Sequence, residues 1–218
     1  DANTAKREGK SIAEMAESTA LLWKKGLADW GIGSKELSQL KAAADRVVYT
    51  PGSSAGMPIS IMTSFEAPNI PWKENEEIFR EKISALVTAL LTLIGLKDID
   101  PLNSREHILL SNIIEYNWKK GSKLDLGQLI LQTQDPPLDK LGAFSLNDFI
   151  PKKERINLAI LLNNLLASPS FQSWIEGQPL DIQSMLYTED GRPRQSIFYL
   201  SHLADTERMF FITLLYSA

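Results

Sequence analysis

Cysteine is absent from the 218 residues. That one absence excludes disulfides, thiolate nucleophiles and cysteine-based zinc sites, and it fits a reducing, cytoplasmic setting. Histidine is nearly absent too: His107 and His202 are the two present. A metal site would have to gather carboxylates from unrelated segments, since neither a His-x-x-x-His pair nor an acidic loop of calcium-binding spacing occurs. No metal ligand is assigned. Positive charge is not in excess, with 23 Lys and Arg against 27 Asp and Glu and a net charge of −4. There is therefore no global attraction to nucleic acid or to an anionic membrane. The longest apolar run, Ile83 to Leu96, is short of the ~20 residues that cross a bilayer core as a helix. It reads as a buried helix, and no membrane partner is expected. Asp1 to Lys10 carries charges of both signs with no apolar segment of signal-peptide type behind it.

What is present supports a folded chain. A hydrophobic fraction of 44% is enough for a buried core in one large domain or two small ones. Ser11 with Glu14 three residues on forms a capping-box pattern that starts a helix. Ile12, Met15, Ala16, Thr19, Leu22, Trp23 and Trp30 then recur at helical spacing on one face until Gly31 and Gly33 interrupt. A short helix follows over 34–44. Arg46 to Thr50 is β-branched and aromatic before Pro51-Gly52, which predicts a short strand and a turn. Pro51, Pro58, Pro68 and Pro71 mark a loop, with a short extended piece at Ile59 to Met62.

Helical signal returns with Glu74, Glu76 and Glu77 ahead of the stripe Phe79, Ile83, Leu86, Val87, Leu90 and Ile94. A helix from about Asn103 to Lys120 has apolar residues on more than one face and should be central. Another covers Leu124 to Gln132. The helix over 152–167 has leucines at i, i+3, i+4, i+7 and i+8 and other apolar residues around it, so enclosure is expected. Short helices are expected at 169–174 and 180–187, a second strand at Ser196 to Leu200, and a helix from Asp205. Two short strands so far apart in the chain are marginal as an isolated sheet and are read as part of a larger one.

Four patterns invite chemistry. Gly9-Lys10-Ser11 ends like a phosphate-binding loop, but Thr4 stands where the first glycine belongs and no strand precedes it, so it reads as a helix start. Gly31 to Lys35 lacks the same strand and reads as a helix break. The strand Ile197 to Leu200 runs into Ser201-His202 with no acid to hold magnesium, and Asp205 and Glu207 are explained by the start of a helix. Gly52-Ser-Ser-Ala-Gly56 matches the G-x-S-x-G elbow, so Ser54 with His202 and either Asp181 or Asp190 forms an alternative hydrolase set. Met57-Pro58 leads into extended chain and not a helix, which favours a glycine-serine turn. His107, beside Glu106 near a helix start, reads as a surface residue. Lys119-Lys120, Lys123, Lys152-Lys153, Arg192 and Arg194 are the local basic groups that could meet phosphates. No catalytic and no cofactor-binding residue is assigned.

Several strings in this order resemble HerA-like P-loop ATPases, the bacterial and archaeal hexameric relatives of FtsK. They are Tyr49-Thr-Pro-Gly-Ser53 with Gly56, Asp100 to His107, Leu158 to Pro169, Gly177 to Ile182, and Ser201 to Phe211. The resemblance spans nearly the whole chain and rests on the combination, since no single string is a catalytic signature. It implies a piece lying between the Walker A and Walker B motifs, in keeping with a sequence that lacks an initial methionine and stops within an apolar run. The expected fold is mainly α, a helical bundle with two short β-strands that would belong to a RecA-like α/β core in the parent. On that reading residues 1–72 and 188–218 belong to the core and 73–187 is a helical insertion. ATP and magnesium would be the parent's ligands. The partners would be the rest of the parent, further copies of it and, for the parent, nucleic acid. A self-contained helical interaction module is the third reading.

Overall fold

The capping box at Ser11 starts the longest N-terminal helix. The Ser11 amide donates to Glu14 Oε2 at 2.8 Å and the Glu14 amide to Ser11 Oγ at 3.2 Å, which satisfies two orphan amides reciprocally. The structure, a computed structural model, describes residues 2–217. It separates into two compact units, Asp1–Asp45 with Tyr187–Arg194, and Arg46–Leu186 with Gln195–Ala218.

The first unit opens with α1 (Ala2–Arg7), which ends in Gly9 at φ 65°. Then come α2 (Ile12–Asp29) and α3 (Ser34–Ala43). A Schellman motif closes α2: the Gly31 amide donates to Ala28 and that of Ile32 to Leu27, with Gly31 at φ 72°. The single apolar face anticipated for α2 is present, yet none of its residues is buried. Residues 187–194 form a turn in which Thr188 and Arg192 pair through their backbones around Gly191.

The second unit is mainly helical. Strand β1 (Asp45–Tyr49) leaves the first unit and reaches the Pro51-Gly52 turn. Strand β2 (Ile59–Ser60) is followed by two single turns of 3₁₀ helix and then α4 (Glu76–Leu93), α5 (Arg105–Lys119) and α6 (Leu126–Gln134). A small hairpin, β3 (Lys140–Leu141) and β4 (Phe144–Ser145), leads to α7 (Leu146–Phe149) and α8 (Lys152–Ala167). The chain then runs through α9 (Gln172–Ile175), β5 (Gln178–Pro179), α10 (Ile182–Leu186), β6 (Arg194–Phe198) and α11 (Asp205–Ser217).

Packing follows the apolar stripes. Helix α11 lies against α4, α4 against α5, α5 against α6, and α6 against α8. The core runs through Phe79, Ile83, Leu86 and Leu90 of α4, Leu109, Leu110, Ile113 and Ile114 of α5, Leu129 of α6, Leu158 and Leu162 of α8, and Phe210, Phe211 and Leu214 of α11. Helix α5 is central, as its all-round apolar pattern requires. Helix α8 is not enclosed: Ile160 and Leu161 face solvent, because it packs on α6 along one side only.

Residues 46–72 pack into the helical block. Ile59, Ile61 and Phe65 are fully buried in its core, and Trp118 Nε1 donates to the Phe65 carbonyl at 2.8 Å. Strand β2 pairs in parallel with β5, Ile59 opposite Gln178. Strand β1 pairs with β6 in a separate two-stranded sheet. The Tyr199 amide donates to Tyr49 and the Asp45 amide to Pro193, bonds that advance along both strands in one direction and make this pair parallel too. Arg46 Nε meets Gln195 Oε1 at 3.1 Å and Arg194 Nε meets Asp45 Oδ2 at 2.9 Å. Among the described residues no helix is long and apolar enough to cross a membrane.

Candidate functional site

Two parallel strands place their carboxyl ends together, and in open α/β sheets that end is where ligands bind. In this protein the loops after β1 and β6 meet there. Tyr49, fully buried, stacks on Phe198 with ring centroids 5.5 Å apart and donates its hydroxyl to Gln178 Oε1 at 3.1 Å. Beyond it the chain folds back on itself. Thr50 Oγ1 donates to the Ser53 carbonyl at 2.9 Å and accepts from the Gly56 amide at 3.0 Å. Thr50 and Met57 then join backbones at 2.9 Å. Gly52 takes φ 68°, and a Cβ there would lie 2.7 Å from the Trp174 indole. Ser173 Oγ holds the Gly52 carbonyl at 2.8 Å. The loop is thus a self-bonded turn seated on an aromatic floor.

From the other strand, His202 Nε2 lies 2.9 Å from the Pro51 carbonyl oxygen. A carbonyl only accepts, so Nε2 carries the hydrogen. The imidazole also stacks on Tyr199, with centroids 5.8 Å apart. Ser54 is exposed on the turn, and among the described residues no hydrogen bond joins it to His202. Asp181 Oδ2 accepts from the Ser184 amide at 2.9 Å, and Asp190 is engaged by Arg192 Nε at 3.2 Å and by Thr188. The sequence brought Ser54 and His202 into consideration together, and the fold does bring their loops together. It spends the imidazole N–H on main chain, however, and among the described residues no carboxylate is hydrogen-bonded to that imidazole.

The phosphate-loop lookalike is likewise occupied. Ser11 Oγ is bonded to Glu14 and Lys10 Nζ to Glu8 at 2.9 Å, so Gly9 to Ser11 form a helix start. At Gly31 to Lys35, Gly33 donates its amide to Glu36 Oε2 at 2.9 Å and opens α3. Near β6, Glu207 Oε2 accepts the Ala204 amide at 2.9 Å and Asp205 pairs with Arg208 at 3.2 Å. Both acids serve the first turn of α11. Among the described residues no cluster of three or more potential ligands could hold a metal ion.

The basic groups are mostly answered by acids. Lys119 pairs with Glu115 at 2.6 Å and lies over the Trp72 ring, Lys152 with Asp135 at 3.3 Å, Arg192 with Asp190 and Arg194 with Asp45. Lys120 sits over the Tyr116 ring. His107 is not a surface residue. It is buried, with Nε2 3.1 Å from Thr88 Oγ1 and 3.3 Å from the Ser84 carbonyl, and Nδ1 3.3 Å from Ser111 Oγ. Burial holds its pKa below the ordinary histidine value, opposed by the Ser84 bond and by Asp100.

One feature had no signal in the sequence beyond a lysine within an apolar stripe. Lys82 lines a cavity of about 190 Å³ with Ser64, Leu86, Leu180 and Leu214, and burial lowers its pKa. No protein-family profile matches this chain, and comparisons with curated proteins and with solved structures return no match either.

Proposed function

We propose that this chain is the interior region of a HerA-like P-loop ATPase, supplying two strands of a parallel core and a helical block, without nucleotide chemistry of its own. The observation that carries the reading is the β1–β6 pair. It is parallel, its strands are separated by the whole helical block, and β6 pairs with β1 alone among the described residues. One face of the pair leaves Val48, Ile197 and Tyr199 about half exposed. Parallel sheets are ordinarily covered on both faces and extended by further strands, and two strands alone are marginal. Sheet and cover supplied by more of the same polypeptide would complete it.

On this reading ATP and magnesium belong to the parent. Its partners are the remaining ATPase core, further copies of the parent and a DNA track, and the setting is cytoplasmic, consistent with a cysteine-free sequence. Titration calorimetry with magnesium-ATP tests it. The 1–218 chain should bind none, while a longer product extended through the flanking coding sequence should bind in the micromolar range. A longer product that binds no nucleotide, or micromolar binding by 1–218 alone, overturns the proposal. One observation favours a self-contained interaction module instead: the two strands find each other without help. That reading requires the 1–218 chain to unfold in a single cooperative transition at the stability of a complete domain.

A further inference from the structure

Helix α4 carries a lysine beside α11, at the edge of its apolar stripe. Lys82 is half-buried and lies one turn before the buried Leu86, on the same side of the helix. Both line a cavity of about 190 Å³ together with Leu180, Leu214, Ser64 and Asp181. The three leucines are buried and form its floor, whereas Asp181 is exposed and marks its mouth. A surface lysine lays its stem on apolar groups and keeps its ammonium in water. Lys82 differs: burial lowers its pKa, and among the described residues Nζ has neither an ion pair nor a hydrogen bond. Glu81 borders an adjacent groove that Lys82 also lines, yet no ion pair joins the two. Asp181 spends Oδ2 on the Ser184 amide, which leaves Oδ1 without a partner among the described residues, and the Ser64 hydroxyl is likewise unmatched there. A cation, an anion and a hydroxyl thus open on one apolar hollow without meeting each other.

We propose that this cavity binds a free α-amino acid with a branched aliphatic side chain, its carboxylate on Lys82, its ammonium on Asp181 and its side chain over the leucine floor. The charges select this class. Lys82 calls for an anion and Asp181 for a cation, and a zwitterion offers both at once. A simple carboxylate would bring a second negative charge toward Asp181, and a simple amine would meet the charge of Lys82. The floor of Leu86, Leu180 and Leu214 offers nothing to a charged side chain. Volume agrees, since a dry cavity of about 150 Å³ holds benzene: the space here suits valine or leucine and excludes a nucleotide. Ser64, able to donate or accept, would fix the orientation of the head group. Holding an ammonium partly out of water with no partner is costly, and an arriving carboxylate offsets that cost with a charge-assisted hydrogen bond. The site uses no nucleotide and no residue of the β1–β6 pair, so it stands or falls apart from the ATPase reading.

Titration calorimetry on the 1–218 chain reads the outcome. L-leucine should bind saturably at one site, with a dissociation constant between about 10 μM and 1 mM for so small a ligand. Isocaproate keeps the carboxylate and side chain but lacks the ammonium, and isoamylamine keeps the ammonium and side chain but lacks the carboxylate. Each should bind at least about tenfold more weakly than L-leucine. Lys82→Met keeps the length of the side chain without its charge, and Asp181→Asn keeps an acceptor for the Ser184 amide. Each substitution should weaken L-leucine at least about tenfold. The analogue series needs no substitution, so the test stands even where a variant fails to fold. No saturable binding of L-leucine up to roughly 10 mM overturns the proposal. Isocaproate binding as tightly as L-leucine overturns it by removing Asp181 from the contact. L-leucine binding indifferent to both substitutions overturns it by placing the ligand elsewhere.

Discussion

His202 donates from Nε2 to the carbonyl oxygen of Pro51, 151 residues earlier, at 2.9 Å. The bond ties the exit of β6 to the exit of β1 and fixes the imidazole tautomer, leaving Nδ1 as the acceptor nitrogen. A catalytic imidazole must face its nucleophile with a nitrogen able to take a proton and be oriented by a third group. This one is oriented by backbone for the benefit of a turn.

Ser54 should therefore be inert to acylating reagents. Incubation with a fluorophosphonate probe, followed by mass spectrometry, should leave Ser54 unlabelled at a dose that saturates a serine hydrolase run alongside. Labelling that disappears in Ser54→Ala and in His202→Ala would establish the hydrolase alternative.

Gly177 stands where β5 meets β2, at φ 116°. A Cβ there would lie 2.3 Å from the Pro58 carbonyl oxygen, an acceptor already bonded by Gln178. Backbone on that side cannot withdraw without breaking the parallel pair. Gly177→Ala should cost roughly 3 kcal/mol or more in urea unfolding, the scale of a strained backbone plus a steric clash. Gly191→Ala, also at positive φ but with nothing within 4 Å, should cost only about 1 kcal/mol. Equal losses at the two sites would contradict the close approach.

Arg155 is a buried guanidinium whose hydrogen-bond partners among the described residues are all neutral. It donates to the Ile150 carbonyl at 2.8 Å, to Asn147 Oδ1 at 3.0 Å and to the Gln134 carbonyl at 3.2 Å. It thereby joins the start of α8 to the end of α6. Lysine brings the charge but not the planar fork, so Arg155→Lys should destabilise by about 2–4 kcal/mol. A loss below about 0.5 kcal/mol would mean that the fork is not what joins these helix ends.

His107 should make stability depend on acid. Its pKa is lowered in the folded chain by burial, so the unfolded chain binds the proton more readily. Stability is then full above the unfolded value of about 6.5 and falls as pH drops below it, by at most about 1.4 kcal/mol per pH unit, until the folded value is reached. Urea midpoints at pH 7.5, 6.5 and 5.5 should decline for the unaltered chain. His107→Gln, which keeps a hydrogen-bonding group but cannot take up the proton, should flatten that decline. A slope unchanged by the substitution would assign the effect to carboxylates.

The helices were legible because their signals are local. The Ser11–Glu14 box, the α4 stripe and the all-round pattern of α5 depend on residues within a few turns, and both main strands lie within two residues of where their β-branched runs put them. What the sequence hid depends on partners far along the chain. Strand β5 is two residues, one of them proline, and is a strand only because Pro58 and Ser60 lie beside it. His107 looked solvent-facing beside Glu106, but Thr88 and Ser84 of α4 close over it. The candidate site is half visible in the sequence: the Gly52–Gly56 pattern and His202 stand out, whereas the bond from His202 to the Pro51 carbonyl ahead of that turn needs the fold.

The parallel β1–β6 pair also sets an order of events during synthesis. Asp45 leaves the ribosome 149 residues before Arg194, so at about 5–20 residues per second β1 waits on the order of ten seconds or more for its partner. The intervening helices, built on nearer neighbours, have time to collapse first. A nascent chain arrested before β6 would carry Val47 to Tyr49 as a bare apolar ribbon, and that is the stage at which a chaperone would be most needed.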